Sequence, residues 1–174
     1  MKQFQSNTGD WAKLIIGIAL VSTLGGVNAD TLAGRVVADT DGDTITVLDA
    51  GLQQHKIRLA GIDAPEKKQP FGERSTQSLA ALVFGKTVVV EWRKKHRERL
   101  IGKVTVSGVD ANLEQIKAGM AWWYEKYRKE QSPADQRRYA EAEQQQARAA
   151  RVGLWRDQAP VPPWEWRALK KTVH

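Results

Sequence analysis

The sequence predicts an α+β chain, mainly β, folded as a small five-stranded Greek-key barrel with three helices. Two observations carry that expectation. Five segments show β-branched residues with inward–outward alternation, bounded by Gly, Asp and Pro turns. The order is three strands, a helix, two strands and then helices, a pattern that suits an OB-like barrel, whose open face commonly binds oligonucleotides. At 174 residues, 41% hydrophobic and 27% charged, the chain makes one ordinary globular domain with a substantial core.

The first strand is expected over Thr31–Val37 and the second over Asp43–Leu48, with Asp39-Thr40-Asp41-Gly42 turning between them. Ala50-Gly51 turns into a third strand, Gln54–Ala60, in which Ile57 and Leu59 face one way and Lys56 and Arg58 the other. Pro65 and Pro70 mark an irregular loop from Gly61 to Phe71. A helix follows over Gly72–Phe84, with Leu79, Leu82 and Val83 at helical spacing and Gly85 as its stop. Thr87–Trp92 is the fourth strand, Arg93–Arg99 a charged hairpin loop and Leu100–Val106 the fifth strand. Asn112–Ala118 is a short helix. Ser132-Pro133-Ala134-Asp135 starts another, predicted to reach Arg151. The segment Pro160-Val161-Pro162-Pro163-Trp164 reads as extended, so residues 157–174 are expected to be a non-helical tail on a domain of residues 30–156.

Residues 1–29 read as a separable leader. Lys2 and Lys13 precede an apolar run from Leu14, and Val27-Asn28-Ala29 offers a cleavage site after Ala29. The expectation is export to the periplasm or medium. An uncleaved membrane anchor is the alternative, although the apolar run is short against the ~20 residues of a spanning helix. Losing Lys2, Asp10 and Lys13 with the leader changes the net charge from +7 to +6, which favours a polyanionic partner. The chain has no cysteine, so neither a disulfide nor a thiol ligand is available.

Chemistry concentrates between Asp39 and Glu66, where Asp41, Asp43, Asp63 and Glu66 surround Arg58. Carboxylates without accompanying nitrogen or sulfur ligands suit a hard cation such as Ca²⁺. The DTDGDT run is not an EF-hand: with Asp39 first, the sixth position is Thr44 rather than glycine and the twelfth is Ala50 rather than glutamate. A bare DGD turn is weak evidence by itself. Its weight comes from Arg58, Asp63 and Glu66 arriving next to it.

The segments DTDGDTITV, IRLAGIDAPE, PFGERS, RLIGKV, NLEQIKAGMAWWY and RVGLW, in this order over Gly34–Trp155, resemble the staphylococcal (micrococcal) nuclease, or thermonuclease-like, family. The resemblance implies a five-stranded OB-fold barrel with three helices that hydrolyses phosphodiester bonds in DNA and RNA with Ca²⁺. By position it implies Asp43, Asp63 and the Ala64 carbonyl as metal ligands, with Asp41 the acid close behind them. Arg58 and Arg99 resemble the phosphate-binding arginines, and Glu66 the carboxylate that activates or orients water. The substrates implied are DNA and RNA, single-stranded or frayed, acted on by a monomer without a protein partner.

The chain departs from the family pattern at Lys95-His96-Arg97-Glu98-Arg99. Arg97 stands at the usual tyrosine and Glu98 at the usual glycine, leaving Arg97 to stack on a nucleotide in the tyrosine's place. Tyr127 matches a tyrosine near the nucleotide pocket, whereas Glu125 replaces another. His96 reads as a surface residue, His55 has no evident partner, and Trp92 and Trp155 read as core. Trp122, Trp123 and Tyr124 are expected to pack the barrel against its helices, with a base-stacking platform as the alternative. Asp39 and Asp49 read as turn residues. A second reading of the whole is a non-catalytic OB-fold module that binds single-stranded nucleic acid. The acids argue against it, since they repel phosphate and a binder does not need them.

Overall fold

The computed structural model describes residues 29–172; the expected leader, as far as residue 28, and the last two residues lie outside them. The elements are β1 (Asp30–Asp41), β2 (Thr44–Asp49), β3 (Gln54–Leu59), β4 (Ile62–Asp63), α1 (Gly72–Val83), β5 (Thr87–His96), β6 (Arg99–Val106), β7 (Val109–Asp110), α2 (Ala111–Lys117), β8 (Trp122–Trp123), α3 (Pro133–Glu141) and α4 (Pro163–Thr172). The sheet runs β3-β2-β1-β5-β6-β7, and β3 also pairs with β6. That last pairing, parallel from Lys56↔Arg99 to Leu59↔Gly102, closes β1, β2, β3, β5 and β6 into the expected five-stranded OB-type barrel.

Strand alternation fills the barrel. Ile45, Val47, Ile57, Leu59, Val88, Val90 and Val104 are all at most 1% exposed, and Leu79 and Val83 of α1 join them at 0%. Gly102 permits the closure. A Cβ there would stand 2.7 Å from Val90 Cγ1 and 2.9 Å from the Glu91 carbonyl oxygen, and the Gly102 carbonyl accepts the Ala60 N–H at 2.8 Å. Asn112, fully buried on α2, donates to the Ala60 and Gly102 carbonyls at 3.0 and 3.3 Å and accepts the Val104 N–H at 3.0 Å. Its amide thereby completes backbone hydrogen bonding that the ladders leave open.

Asp110 caps α2 by accepting the Leu113 N–H, and its carboxylate also accepts the buried Tyr139 hydroxyl of α3 at 2.9 Å. The predicted start of α3 is present, with Ser132 accepting the Asp135 N–H at 3.1 Å and Pro133 opening the helix. It does not continue as α-helix to Arg151. From Ala142 to Arg148 the backbone widens to a π-helix, and its wider turn places Ala142 and Ala147 on one buried face.

Three other expectations are corrected. β1 continues through Asp39-Thr40-Asp41, so the β1–β2 turn is only Gly42-Asp43. The Arg93–Arg99 loop is mostly strand: β5 reaches His96, β6 begins at Arg99, and Arg97-Glu98 make the turn with Arg97 at φ 54°. The tail is helical. Pro163 occupies the first turn of α4, where its missing N–H has no intrahelical partner to lose. The Pro162 carbonyl accepts from Glu165 and Trp166.

This fourth helix lies on a second small core of Trp122, Ala147, Leu154 and Trp155, against which Phe71, Val152 and Trp164 pack. Trp155 is thus core, as expected, while Trp92 is half-buried against the barrel. His55 has a partner after all, Asp49 at 2.7 Å. Among the described residues, no helix is long and apolar enough to cross a membrane.

Candidate active site

The Gly42-Asp43 turn is pinned from below. Gln115 of α2 donates to the Gly42 carbonyl at 2.8 Å and to the Ser75 carbonyl of α1 at 3.1 Å. A Cβ on Gly42 would fall 1.8 Å from Ser75 Oγ, so the turn rests directly on α1. This seat aims the Asp43 carboxylate inward, 5% exposed. Its Oδ1 accepts the Thr44 hydroxyl at 3.1 Å, and its Oδ2 accepts the Ala64 N–H at 2.8 Å. Asp41 stands behind, accepting the Asp43 N–H at 3.2 Å. Burial pushes the Asp43 carboxyl up to about 7; Arg58 opposes the rise and Asp41 adds to it.

Arg58 joins the two acid-bearing segments. Its Nη2 lies 3.0 Å from Asp43 Oδ2 and 2.9 Å from Asp63 Oδ1. Nη1 donates to the Leu59 and Ile62 carbonyls. Asp63 is held at 1% exposure by the β4–β8 pairing, which sets it opposite Trp122. Arg99 reaches the same region through barrel closure. Arg58 pairs with Ile101 and Arg99 with Lys56, so the two arginines are diagonal neighbours on one face of the β3–β6 pair.

These groups line one cavity of about 410 Å³. Asp41, Asp43, Arg58, Asp63, the Ala64 segment, Glu66, Arg99 and Tyr127 all contribute to its wall. Of the sequence-predicted residues, only Arg97 does not: it is exposed in the β5–β6 turn, away from the wall. Its left-handed backbone explains this, because the turn directs residue 97 outward while Arg99 starts the strand that faces the site. His96 is exposed, as expected, yet it also lines the cavity.

Three further residues line the cavity; sequence reasoning gave Tyr124 only as an alternative stacking group and missed Arg167 entirely. Lys94 lies 5.8 Å over the Tyr127 ring and pairs with Glu130 at 2.8 Å. Tyr124 faces the cavity, with its ring edge-on to Tyr127 at 4.8 Å. Burial, and next the Asp63 charge, raise its hydroxyl pKa above the ordinary tyrosine value. The third is Arg167 of α4, whose Nη2 donates to Asp63 Oδ2 at 2.7 Å and whose Nη1 donates to Glu66 Oε1 at 2.7 Å. The one sequence signal for it was Trp164-Glu165-Trp166-Arg167, two aromatics able to anchor a helix beside an arginine.

The donor chemistry fits a hard divalent cation: Asp41, Asp43 and Asp63 with the Ala64 carbonyl offer only oxygen. Among the described residues, no three His, Asp or Glu side chains are gathered into a ready cage. The Arg58 and Arg167 guanidiniums stand against the carboxylates that a cation would share.

Comparison with known proteins agrees with this geometry. The Staphylococcal nuclease homologue family model matches residues 56–157. An "Uncharacterized endonuclease" of Escherichia coli O157:H7 is 43% identical over 79% of this chain and 86% of its own length. A similarly named protein of Haemophilus influenzae is 42% identical over 79% and 74% of the two chains. A "Micrococcal nuclease" of Shigella flexneri is 40% identical over 80% and 83%.

Proposed function

The chain belongs to the staphylococcal nuclease family and is an endonuclease hydrolysing phosphodiester bonds; we propose that it is an exported, Ca²⁺-dependent enzyme that cleaves both DNA and RNA with little sequence preference. The observation that carries this reading is the convergence of Asp43, Asp63, Arg58, Glu66 and Arg99 on one cavity. A nucleic-acid-binding module would have no use for buried acids at its phosphate site.

Asp43, Asp63 and the Ala64 carbonyl would hold the cation, with Asp41 behind them. Bound there, a dication supplies positive charge at the scissile phosphate and acidifies water. The chain's own groups do the rest. Arg58 and Arg99 bind the phosphate oxygens and stabilise the extra negative charge that develops as the phosphorus becomes five-coordinate. Glu66, half-exposed at the cavity rim, takes the proton of the attacking water and orients it. Tyr127, 40% exposed, offers a ring face to a splayed base, and Lys94 above it offers charge to the backbone. Stacking of this kind favours single-stranded or frayed substrate, acted on by a monomer. The net charge of +7 in the full chain supports attraction to nucleic acid, and the N-terminal leader pattern supports export.

The experiment is cleavage of single-stranded DNA and RNA by the purified protein in Ca²⁺ and in excess chelator, alongside Glu66→Gln. Cleavage that needs Ca²⁺ and falls at least ~10²-fold in Glu66→Gln is expected. Binding without cleavage, indifferent to the metal, would overturn the Ca²⁺-dependent mechanism. Undiminished cleavage by Glu66→Gln would overturn the role given to that residue.

A further inference from the structure

Arg167 lies ten residues beyond the segment that matches the family model, yet its guanidinium enters the site. Nη2 donates to Asp63 Oδ2 at 2.7 Å, while Nη1 donates to Glu66 Oε1 at 2.7 Å and to Asp63 Oδ1 at 3.3 Å. It therefore covers the last free oxygen of a carboxylate whose other oxygen is held by Arg58. It also occupies the group that must accept a proton. A surface arginine pairing by chance would not require a dedicated mount, and Arg167 has one.

The mount is α4. Trp164 stacks on Tyr124 with ring centroids 5.0 Å apart and planes within 1°, and meets Trp122 edge-on at 6.4 Å. Pro163, which opens the helix, is buried. Just ahead of the helix, the Val161 carbonyl accepts from the Gln69 side chain, and the Gln69 Oε1 accepts the Glu66 N–H. The tail is thus fastened to the very loop that carries Glu66. Arg167 can let go of the acids without leaving the cavity, because its helix is held independently.

We propose that Arg167 is a third phosphate-binding arginine of this enzyme. It neutralises Asp63 and Glu66 while no divalent cation is bound, and transfers to the substrate phosphate when one is. The inference rests on the nuclease site described above. Charge balance is its physical basis. With Lys94 and Glu130 cancelling one another as a pair, four carboxylates, Asp41, Asp43, Asp63 and Glu66, face three guanidiniums, Arg58, Arg99 and Arg167. A dication and one phosphodiester bring that sum to zero; without Arg167 the loaded site would carry an uncompensated negative charge beside an anionic substrate. The exchange also uncovers the Glu66 Oε1 that the guanidinium occupies. A planar fork suits both partners, as it grips carboxylate and phosphate alike.

The test uses the full chain, wild type against Arg167→Ala and Arg167→Lys, each first matched for thermal unfolding. Calorimetric titration with Ca²⁺ alone should show tighter binding in Arg167→Ala, by about tenfold, because a competitor for Asp63 is gone. Fluorescence anisotropy with a single-stranded DNA oligonucleotide, in a Glu66→Gln background to suppress cleavage, should show at least ~10-fold weaker binding with Arg167→Ala in Ca²⁺ and little change in chelator. With Glu66 intact, kcat at saturating Ca²⁺ should fall by ~10²-fold, and Arg167→Lys should recover part of it.

Unchanged Ca²⁺ affinity in Arg167→Ala would overturn the competition. Undiminished oligonucleotide affinity and kcat would overturn the phosphate role and leave Arg167 as a plug. A wild type that does not cleave would sink the nuclease mechanism instead, while the calorimetry and anisotropy would still decide whether Arg167 changes partners.

Discussion

Arg58 donates from Nη2 to Asp63 Oδ1 at 2.9 Å and lies 3.0 Å from Asp43 Oδ2, so one guanidinium joins acids that are twenty residues apart in the chain. Asp43 and Asp63 are 5% and 1% exposed. Two carboxylates so deeply buried, within reach of one another's field, are held in place by Arg58 as much as they hold it. Arg58→Met should therefore destabilise the fold by roughly 2 kcal/mol, below the 3–5 of a fully buried pair because the Arg58 side chain keeps 19% exposure. Added Ca²⁺ should recover part of that loss in thermal unfolding, since a cation replaces the missing charge. Cleavage should fall by at least ~10²-fold.

Arg99 and Arg97 are two residues apart, but only Arg99 lines the cavity. Arg99→Ala should lower kcat by ~10²-fold while leaving the unfolding midpoint nearly unchanged. Arg97→Ala should alter kcat several-fold at most. Steady-state kinetics on the two variants, with a reversal of that order, would count against the assignment.

Gly42 has no room for a side chain. A Cβ would stand 1.8 Å from Ser75 Oγ and 2.9 Å from the Ala64 Cβ. Gly42→Ala should cost about 1–3 kcal/mol through overpacking and should weaken cleavage by shifting Asp43. Combining it with Ser75→Ala should restore only part of the stability, because the Cβ of residue 75, at 2.7 Å, and the Ala64 Cβ remain in the way. Denaturant titration of the single and double variants checks this.

Asn112 supports the barrel's closing seam next to the site. Its removal leaves the Val104 N–H and the Ala60 and Gly102 carbonyls without this partner in a buried setting. Asn112→Ala should cost about 2–4 kcal/mol by chemical denaturation, more than a surface Asn→Ala change.

Glu143 supplies a pH test remote from the cavity. It is buried in the π-helical segment with Oε1 making no hydrogen bond, and desolvation raises its pKa although Arg148, 3.5 Å away, opposes the rise; Glu125 adds to it. A carboxyl whose folded pKa lies above its unfolded value favours the fold when protonated. That contribution is full below the unfolded value and is lost as pH rises. Glu143→Gln should therefore raise the unfolding midpoint relative to wild type at pH 7, with the difference shrinking toward pH 4. Arg148 stays placed by the Trp155 ring, 4.0 Å from its guanidinium.

Much of this was legible without coordinates, and for local reasons. Alternation in Gln54–Ala60 told that Ile57 and Leu59 would be inside and Arg58 on the other face, because side-chain direction in a strand has period two. Ser132-Pro133 located a helix start because capping is settled within one turn. Where the chain went against its local signals, the cause was a distant partner. Three nearby prolines suggested an extended tail, but Trp164 found Tyr124 and Trp122, and packing made α4 worth forming. The RKKHRER stretch looked like a loop by charge alone, yet pairing across the hairpin and against β3 drew most of it into strands.

The sequence by itself determined the barrel, since strand periodicity and short-range turn chemistry are written residue by residue, and it singled out Asp43, Arg58, Asp63 and Glu66 by their clustering and by the family pattern they resemble. The family pattern already pointed to Arg99 as a phosphate-binding arginine, but only the tertiary structure kept Arg97 off the cavity wall, because that depends on how β3 and β6 register when the barrel closes. It alone brought Arg167 onto Asp63 and Glu66, a meeting across more than a hundred residues for which no spacing rule exists.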